Sequence, residues 1–176
     1  MDIETPRLML VENYRPVKEH IAWLNDKELM KWSDQQFHKH DMISQRWFLE
    51  RAQVFGTPLV YDIRLKENAE DTRSPLAWTV GSLHVHIDKN HARADLGIMI
   101  GSSYVWRGYG KEAWKAAQDY CFVKLRMMKL EAGCALPNVG MIKILGACGW
   151  RTEGVRQSHF LYNGRRYDLV QFGKFA

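Results

Sequence analysis

"VWRGYGKEA", residues 105–113, is the most informative segment of the chain. Gly108 and Gly110 flank one tyrosine, Arg107 precedes them, and Lys111-Glu112-Ala113 opens a run with helical spacing. Glycine lets a backbone approach another molecule with no Cβ in the way. The first N–H groups of a helix have no partner inside it and carry the positive end of its dipole. Flexible, cationic backbone ahead of a helix therefore suits a phosphate. The same glycines would also serve a plain turn, and on spacing alone both readings stand.

Working outward, "RADLGIMIG" (93–101) leads into this stretch as a strand, and residues 111–125 follow it as a helix. Ala113, Trp114, Ala117, Tyr120, Cys121 and Leu125 form the helix's apolar stripe. "MKLEAGCAL" (128–136) returns as a strand, which completes a strand–helix–strand unit. Such a crossover favours parallel pairing and a ligand crevice at the carboxyl end of its first strand. Residues 139–147 suit a short helix that stops at Gly149. Two strands then flank Asn163-Gly164, a strong hairpin signal.

Toward the amino end, "LAWTVGSLHVHID" (76–88) is a strand joined to the next by the turn "KNHA". "NAEDTRSP" (68–75) reads as a hairpin loop. In "PLVYDIRLKE" (58–67), Leu59, Tyr61, Ile63 and Leu65 alternate, as in a strand with one buried face. Helical spacing covers 43–54 and 16–32, the latter broken near Asn25-Asp26, and "RLMLVENY" (7–14) is a first strand. The order is β-α-α-β-β-β-α-β-α-β-β in a single domain, 1–176.

The 176 residues, 46% of them hydrophobic, suit one globular domain with a real core. No apolar run approaches the ~18 residues that span a bilayer. No signal peptide is expected, and Cys121, Cys134 and Cys148 read as reduced thiols of a cytoplasmic protein. Their spacing does not suit zinc. The net charge of +5 is scattered, with no basic stretch interleaved with aromatics, so a nucleic-acid-binding module is not expected. Glu112 follows Lys111 where a P-loop needs Ser or Thr, which excludes that motif.

The element order and four ordered motifs resemble the GNAT superfamily of acyl-CoA N-acyltransferases. "VWRGYG" aligns with the family's Gln/Arg-x-x-Gly-x-Gly/Ala loop, with Val105 in the first place. "TPRLML" and "NVGMIKILGACGW" resemble the branch of ribosomal-protein N-terminal acetyltransferases, with Met141 for Ser and Trp150 for Phe. "ADLGIMIG" resembles the strand before the loop. "WLND" (23–26), "QFHKH" (36–40) and "HARADLGIMIG" resemble relatives that acetylate nucleotide-linked amino sugars. The resemblance implies an α/β fold: a mixed, mostly antiparallel sheet of about seven strands flanked by helices.

It also implies roles. The backbone of Ile98, Met99 and Ile100 would hold the pantetheine arm of acetyl-CoA and polarise its thioester. Arg107, Gly108, Tyr109, Gly110 and Lys111 would surround the pyrophosphate. Asn138 would bond the cofactor arm, although it equally suits a helix N-cap. Lys143 matches a basic position near the cofactor, or a solvated helix face. Leu145 stands where many members carry a proton-donating tyrosine, so the general acid is unassigned.

Asp95 aligns with an acidic residue and is the first candidate base; an exposed strand carboxylate is the alternative. Period two puts His84, His86 and Asp88 on one strand face. A metal there would need a ligand from elsewhere and is not expected, whereas His84 or His86 could accept a proton near neutral pH. His38 and His40 lie in the region that covers the acceptor site in relatives. Glu153, His159, Tyr162 and Tyr167 fall on the terminal hairpin, which in the family helps shape that site.

The function expected is acetyl transfer from acetyl-CoA to a primary amine. A small molecule such as a nucleotide-linked amino sugar is the first acceptor class, and a protein N-terminus is the second. A dimer is compatible with the sequence.

Overall fold

The computed structural model describes residues 1–66 and 78–176. The loop expected at 68–75 lies outside them. Eight strands form one sheet, in the order β1-β2-β3-β4-β5-β6-β8-β7. They are β1 (Ile3–Glu4), β2 (Leu8–Glu12), β3 (Leu59–Leu65), β4 (Thr79–Asp88), β5 (Arg93–Ile100), β6 (Lys129–Ala135), β7 (Arg151–Tyr162) and β8 (Arg165–Phe175). β5 and β6 pair in parallel and all other neighbours are antiparallel. The sheet is thus mixed and mostly antiparallel, as expected. It has one strand more than the seven expected, because the two residues of β1 carry too little pattern to be read.

The helices are α1 (Lys18–Leu24), α2 (Lys27–Met30), α3 (Met42–Phe55), α4 (Tyr109–Val123) and α5 (Val139–Ala147). The break near Asn25-Asp26 is real: the Asp26 carboxylate accepts from the N–H groups of Glu28 and Leu29 and caps α2. Asp41 and Ser44 form a reciprocal capping box that starts α3. The Asn163-Gly164 turn has both residues at positive φ, which matches the twist of the flanking strands.

α4 buries Ala113, Trp114, Ala117 and Cys121 against one face of the sheet. Leu83, Val85, Ala94, Leu96 and Leu130 form that face. α3 covers the opposite face at β3 through Leu49, Ala52 and Val60. β3 is therefore buried on both faces, not on one. Val60 and Asp62 are enclosed alongside Tyr61 and Ile63. All three cysteines are buried free thiols. Among the described residues, no helix is long and apolar enough to cross a membrane.

Candidate active site

β5 and β6 pair over only three residues, Arg93↔Lys129, Ala94↔Leu130 and Asp95↔Glu131. Beyond Asp95 the strands part, although β5 stays paired with β4 as far as Ile100. The result is a fork with one free backbone edge on each prong. The Gly101 N–H donates to the Val80 carbonyl on β4 at 2.9 Å. Successive strand residues direct their backbone groups to opposite edges, so Ile98 and Ile100 turn theirs into the fork. Met99 spends its backbone on β4. Of the three residues expected to hold the pantetheine arm, Ile98 and Ile100 have the free groups.

The glycine loop closes one end of the fork. Gly108 is the residue just before α4 and sits in the left-handed region, at φ 83°. A side chain is strained there. The first intrahelical bond runs from the Glu112 N–H to the Gly108 carbonyl. The N–H groups of Tyr109, Gly110 and Lys111 thus have no intrahelical acceptor. A Cβ at Gly110 would come within 3.0 Å of Ile144 and 3.4 Å of Ile100.

The amino-terminal segment clamps this loop. Glu112 accepts from the Thr5 hydroxyl (2.6 Å), the Arg7 N–H (2.8 Å) and Arg7 Nε (2.7 Å). Arg7 Nη1 donates to the Arg107 carbonyl, and its guanidinium lies 4.9 Å from the Tyr109 ring centre. Arg107 and Lys111 themselves are exposed cations beside the helix start. Trp106 is 79% exposed, and the Lys143 ammonium lies 5.9 Å from its ring. Lys143 therefore projects from α5 toward the loop. Asn138 caps α5 by accepting from the Met141 N–H at 3.2 Å. Leu145 is fully buried, as an apolar helix residue should be.

A row of polar side chains crosses the sheet at the point where the fork opens. His86 lies opposite Asp95 on β5, which lies opposite Glu131 on β6. These three share a face with His84, two residues before His86. Asp95 is exposed along its edge, yet its carboxyl is pushed up to about 6. Crowding by the sheet and its side chains is the main cause, and the Glu131 carboxylate adds to it; Arg93 opposes both. Burial pushes His84 down to about 4, with His86 and His20 adding like charge. The half-buried His84 ring lies 5.7 Å from that of Phe48. Burial also lowers His86, which remains exposed. Asp95 thus lies nearer neutrality than His84, and both Asp95 and His86 keep access to solvent.

His38 and His40 are not joined to this row by any hydrogen bond among the described residues. His38 is exposed on the loop before α3, in a groove of about 280 Å³. His40 is buried, and Asn25 holds its backbone by two bonds of 2.8 and 3.0 Å. On the terminal hairpin, Glu153 pairs with Lys129, and the Tyr162 hydroxyl donates to Glu28. Tyr167 packs edge-on against Trp32, and His159 is exposed. Among the described residues no three His, Cys, Asp or Glu side chains are grouped to hold a metal ion.

Sequence reading missed a buried polar cluster beside the row. Asp62 is fully buried, opposite Ser82 on β4. It accepts from Asn13 and Arg64, each at 2.8 Å, and His20 Nε2 stands 3.6 Å away. Its position out of phase with Tyr61 and Ile63 was a signal for the polar face. Only α1 and α3, packed over that face, make it interior.

Comparison with known proteins agrees with this geometry. The model of the acetyltransferase (GNAT) domain family matches residues 7–151. A spermidine N(1)-acetyltransferase of Vibrio cholerae is 26% identical over 134 residues, 72% of this chain and 76% of that protein. Other curated bacterial N-acetyltransferases align over about half of their own length. The crystal structure of spermidine N-acetyltransferase from Vibrio cholerae, in complex with CoA and spermine, superposes with a TM-score of 0.84. That match has 17% identity and covers 97% of this chain and 96% of that one. The ribosomal L7/L12 acetyltransferase RimL, bound to coenzyme A, superposes at 0.80 with 14% identity, over 99% and 98%.

Proposed function

The chain belongs to the GNAT acetyltransferase family, and we propose that it transfers the acetyl group of acetyl-CoA to the primary amine of a small molecule. One observation carries this reading: the fork between β5 and β6 runs from the glycine loop to Asp95. The loop N–H groups take the pyrophosphate, where the helix dipole favours negative charge. The free backbone groups of Ile98 and Ile100 hold the pantetheine arm and polarise the thioester carbonyl. Donors fixed in place before the reaction stabilise the charge that develops on that oxygen.

The amine nitrogen attacks the thioester carbon, the C–S bond breaks, and CoA leaves as its thiolate. The proton lost by nitrogen passes to Asp95, directly or through one water. A carboxyl near pH 6 is ionised at neutrality and still basic enough for this task. His84, held neutral by burial, is a poorer acceptor. With Leu145 sealed in the core, α5 offers no tyrosine for the thiolate at that position, and solvent protonates it.

The acceptor face fits an ammonium. Asp88, Asp95 and Glu131 line it, partly offset by Arg93 and Lys129. Relatives named for spermidine support a small amine. Nucleotide-linked amino sugars remain within this class, and a protein N-terminus is the alternative. The test is thiol release from acetyl-CoA with one panel: spermidine, a nucleotide-linked amino sugar and an amino-terminal peptide. Turnover of a small amine is expected. Release confined to the peptide would replace this reading with the alternative, and release with none of them would overturn it.

A further inference from the structure

α3 buries Leu49 and Ala52 against β3 but leaves Trp47, Val54 and Phe55 exposed at 63%, 80% and 69%. A groove of about 320 Å³ runs along it, lined by Trp47, Phe48, Arg51, Phe55 and Pro58. The Arg51 guanidinium lies 4.9 Å from the Trp47 ring centre and 6.0 Å from that of Phe55. Among the described residues it makes no ion pair or hydrogen bond. Aromatic faces hold a guanidinium flat while leaving its N–H edge free, which is the geometry for gripping a carboxylate or phosphate.

This groove adjoins the acceptor face. Its wall Phe48 rests on His84. The Ile87 N–H donates to the Thr57 hydroxyl at 2.9 Å, and Leu59 lies opposite Val85. Pro58 therefore falls beside His86, and His86 lies opposite Asp95. Two strand spacings separate the groove wall from the base, about 10 Å. Carboxylates line the reacting end of this path, and Arg51 between its aromatics lines the other.

We propose that the groove is an acceptor subsite, and that the acceptor joins its amine to an anionic group, with Arg51 binding that anion in the groove, whose wall at Pro58 lies about 10 Å from Asp95. The inference rests on the acetyl-transfer reading above and narrows it. A polyamine offers Arg51 nothing, because like charges repel.

The test uses three amines of one length: hexylamine, 6-aminohexanoate and 6-aminohexyl phosphate. With acetyl-CoA, kcat/KM for an anionic amine should exceed that for hexylamine by at least ~10-fold, the scale of one charge-assisted bond. The difference should lie in KM. The larger gain identifies carboxylate or phosphate as the preferred anion. In Arg51→Gln the ratio of anionic amine to hexylamine should collapse by a similar factor, while Arg51→Lys should retain part of it. Calorimetry of the same amines on the CoA-bound protein reads the subsite without any chemistry. There the preferred anionic amine should bind the parent and lose ~10-fold in Arg51→Gln. Equal binding of all three amines by the parent overturns the subsite, whether or not acetyl transfer occurs. So does an unchanged ratio in Arg51→Gln. An effect of Arg51→Gln and Trp47→Ala confined to oligomeric state would make the groove a subunit interface and remove the proposal. Binding without turnover of any amine would instead count against the acetyl-transfer reading alone.

Discussion

The proposed cofactor slot and the proposed acceptor face share β5 but are made of different material. The slot is backbone: the free edges of Ile98 and Ile100, the left-handed Gly108 and the first N–H groups of α4. The acceptor face is side chains from several elements: Phe48 and Arg51 of α3, His84 and His86 of β4, Asp95 of β5 and Glu131 of β6. A backbone site depends on conformation and accepts many residues nearby, so Val105 is compatible with it although the family motif suggested by resemblance begins with Gln or Arg. A side-chain site depends on identity, and there each substitution changes the chemistry offered to an acceptor.

The sharpest way to break this contrast is at Gly108. A valine there meets the φ of 83° and Arg7 Nη2 at 3.3 Å from its Cβ. Acetyl-CoA should raise the melting temperature of the parent, and Gly108→Val should abolish that rise in a protein that still folds. A normal ligand shift in the variant would separate the loop from the cofactor. Next in size is Leu145→Ala, which empties a fully buried site and should cost ~2–5 kcal/mol in urea unfolding. Turnover per folded molecule should persist, whereas its loss would give Leu145 a chemical role.

On the acceptor side, Asp95→Asn should lower turnover ~10²-fold with little change in acetyl-CoA affinity. The parent should lose kcat/KM as pH falls through about 6, where Asp95 takes up its proton, and the variant should lack that limb. Stability should move the other way. The folded pKa lies above the ordinary 3.8, so the fold holds this proton more tightly than the unfolded chain does. Asp95 thus weakens the fold progressively from about pH 4 to pH 6 and stays unfavourable above that. Asp95→Asn should therefore show an equal or higher urea midpoint at pH 7. A lower one would mark Asp95 as structural.

The smallest effect is expected at Glu112→Gln, about 1–3 kcal/mol for weakened charge-assisted bonds. Burial pushes the Glu112 carboxyl up, but the bonds from Thr5 and Arg7 outweigh it and hold the group below its ordinary 4.5. Its stabilisation is present above that value and disappears as pH falls below it. Parent and variant should thus converge in acid denaturation, and a gap that persists at pH 3 would mean the clamp works through packing.

The same contrast explains what could be read beforehand. Gly108 and Gly110, the helix after them and the returning strand lie within one continuous stretch, and local chemistry dictates each of them. The period-two alternation of β4 was enough to put His84 and His86 on one face. The parting of β5 from β6 depends on long-range pairing, so motif resemblance suggested it and register had to locate it at Asp95. Asp62 falls on the strand face opposite Tyr61 and Ile63, which alternation alone leaves to solvent, and only the packing of α1 and α3 over that face encloses it. Nothing in the sequence marks Arg51, since its neighbours Trp47 and Phe55 acquire meaning only where α3 lies against the sheet.

The manner in which β6 is held bears on the order of events during synthesis. It shares three residue pairs with β5 but seven with β8, Lys129↔Phe175 through Ala135↔Leu169. One prong of the fork is thus anchored chiefly by a strand that leaves the ribosome after every other element described. A nascent chain that already displays the glycine loop and α4 still lacks the wall opposite β5. Cofactor capture should then begin only after β8 has slid between β6 and β7, and the ligand would act as a late lock on a nearly finished sheet, not as a seed for it.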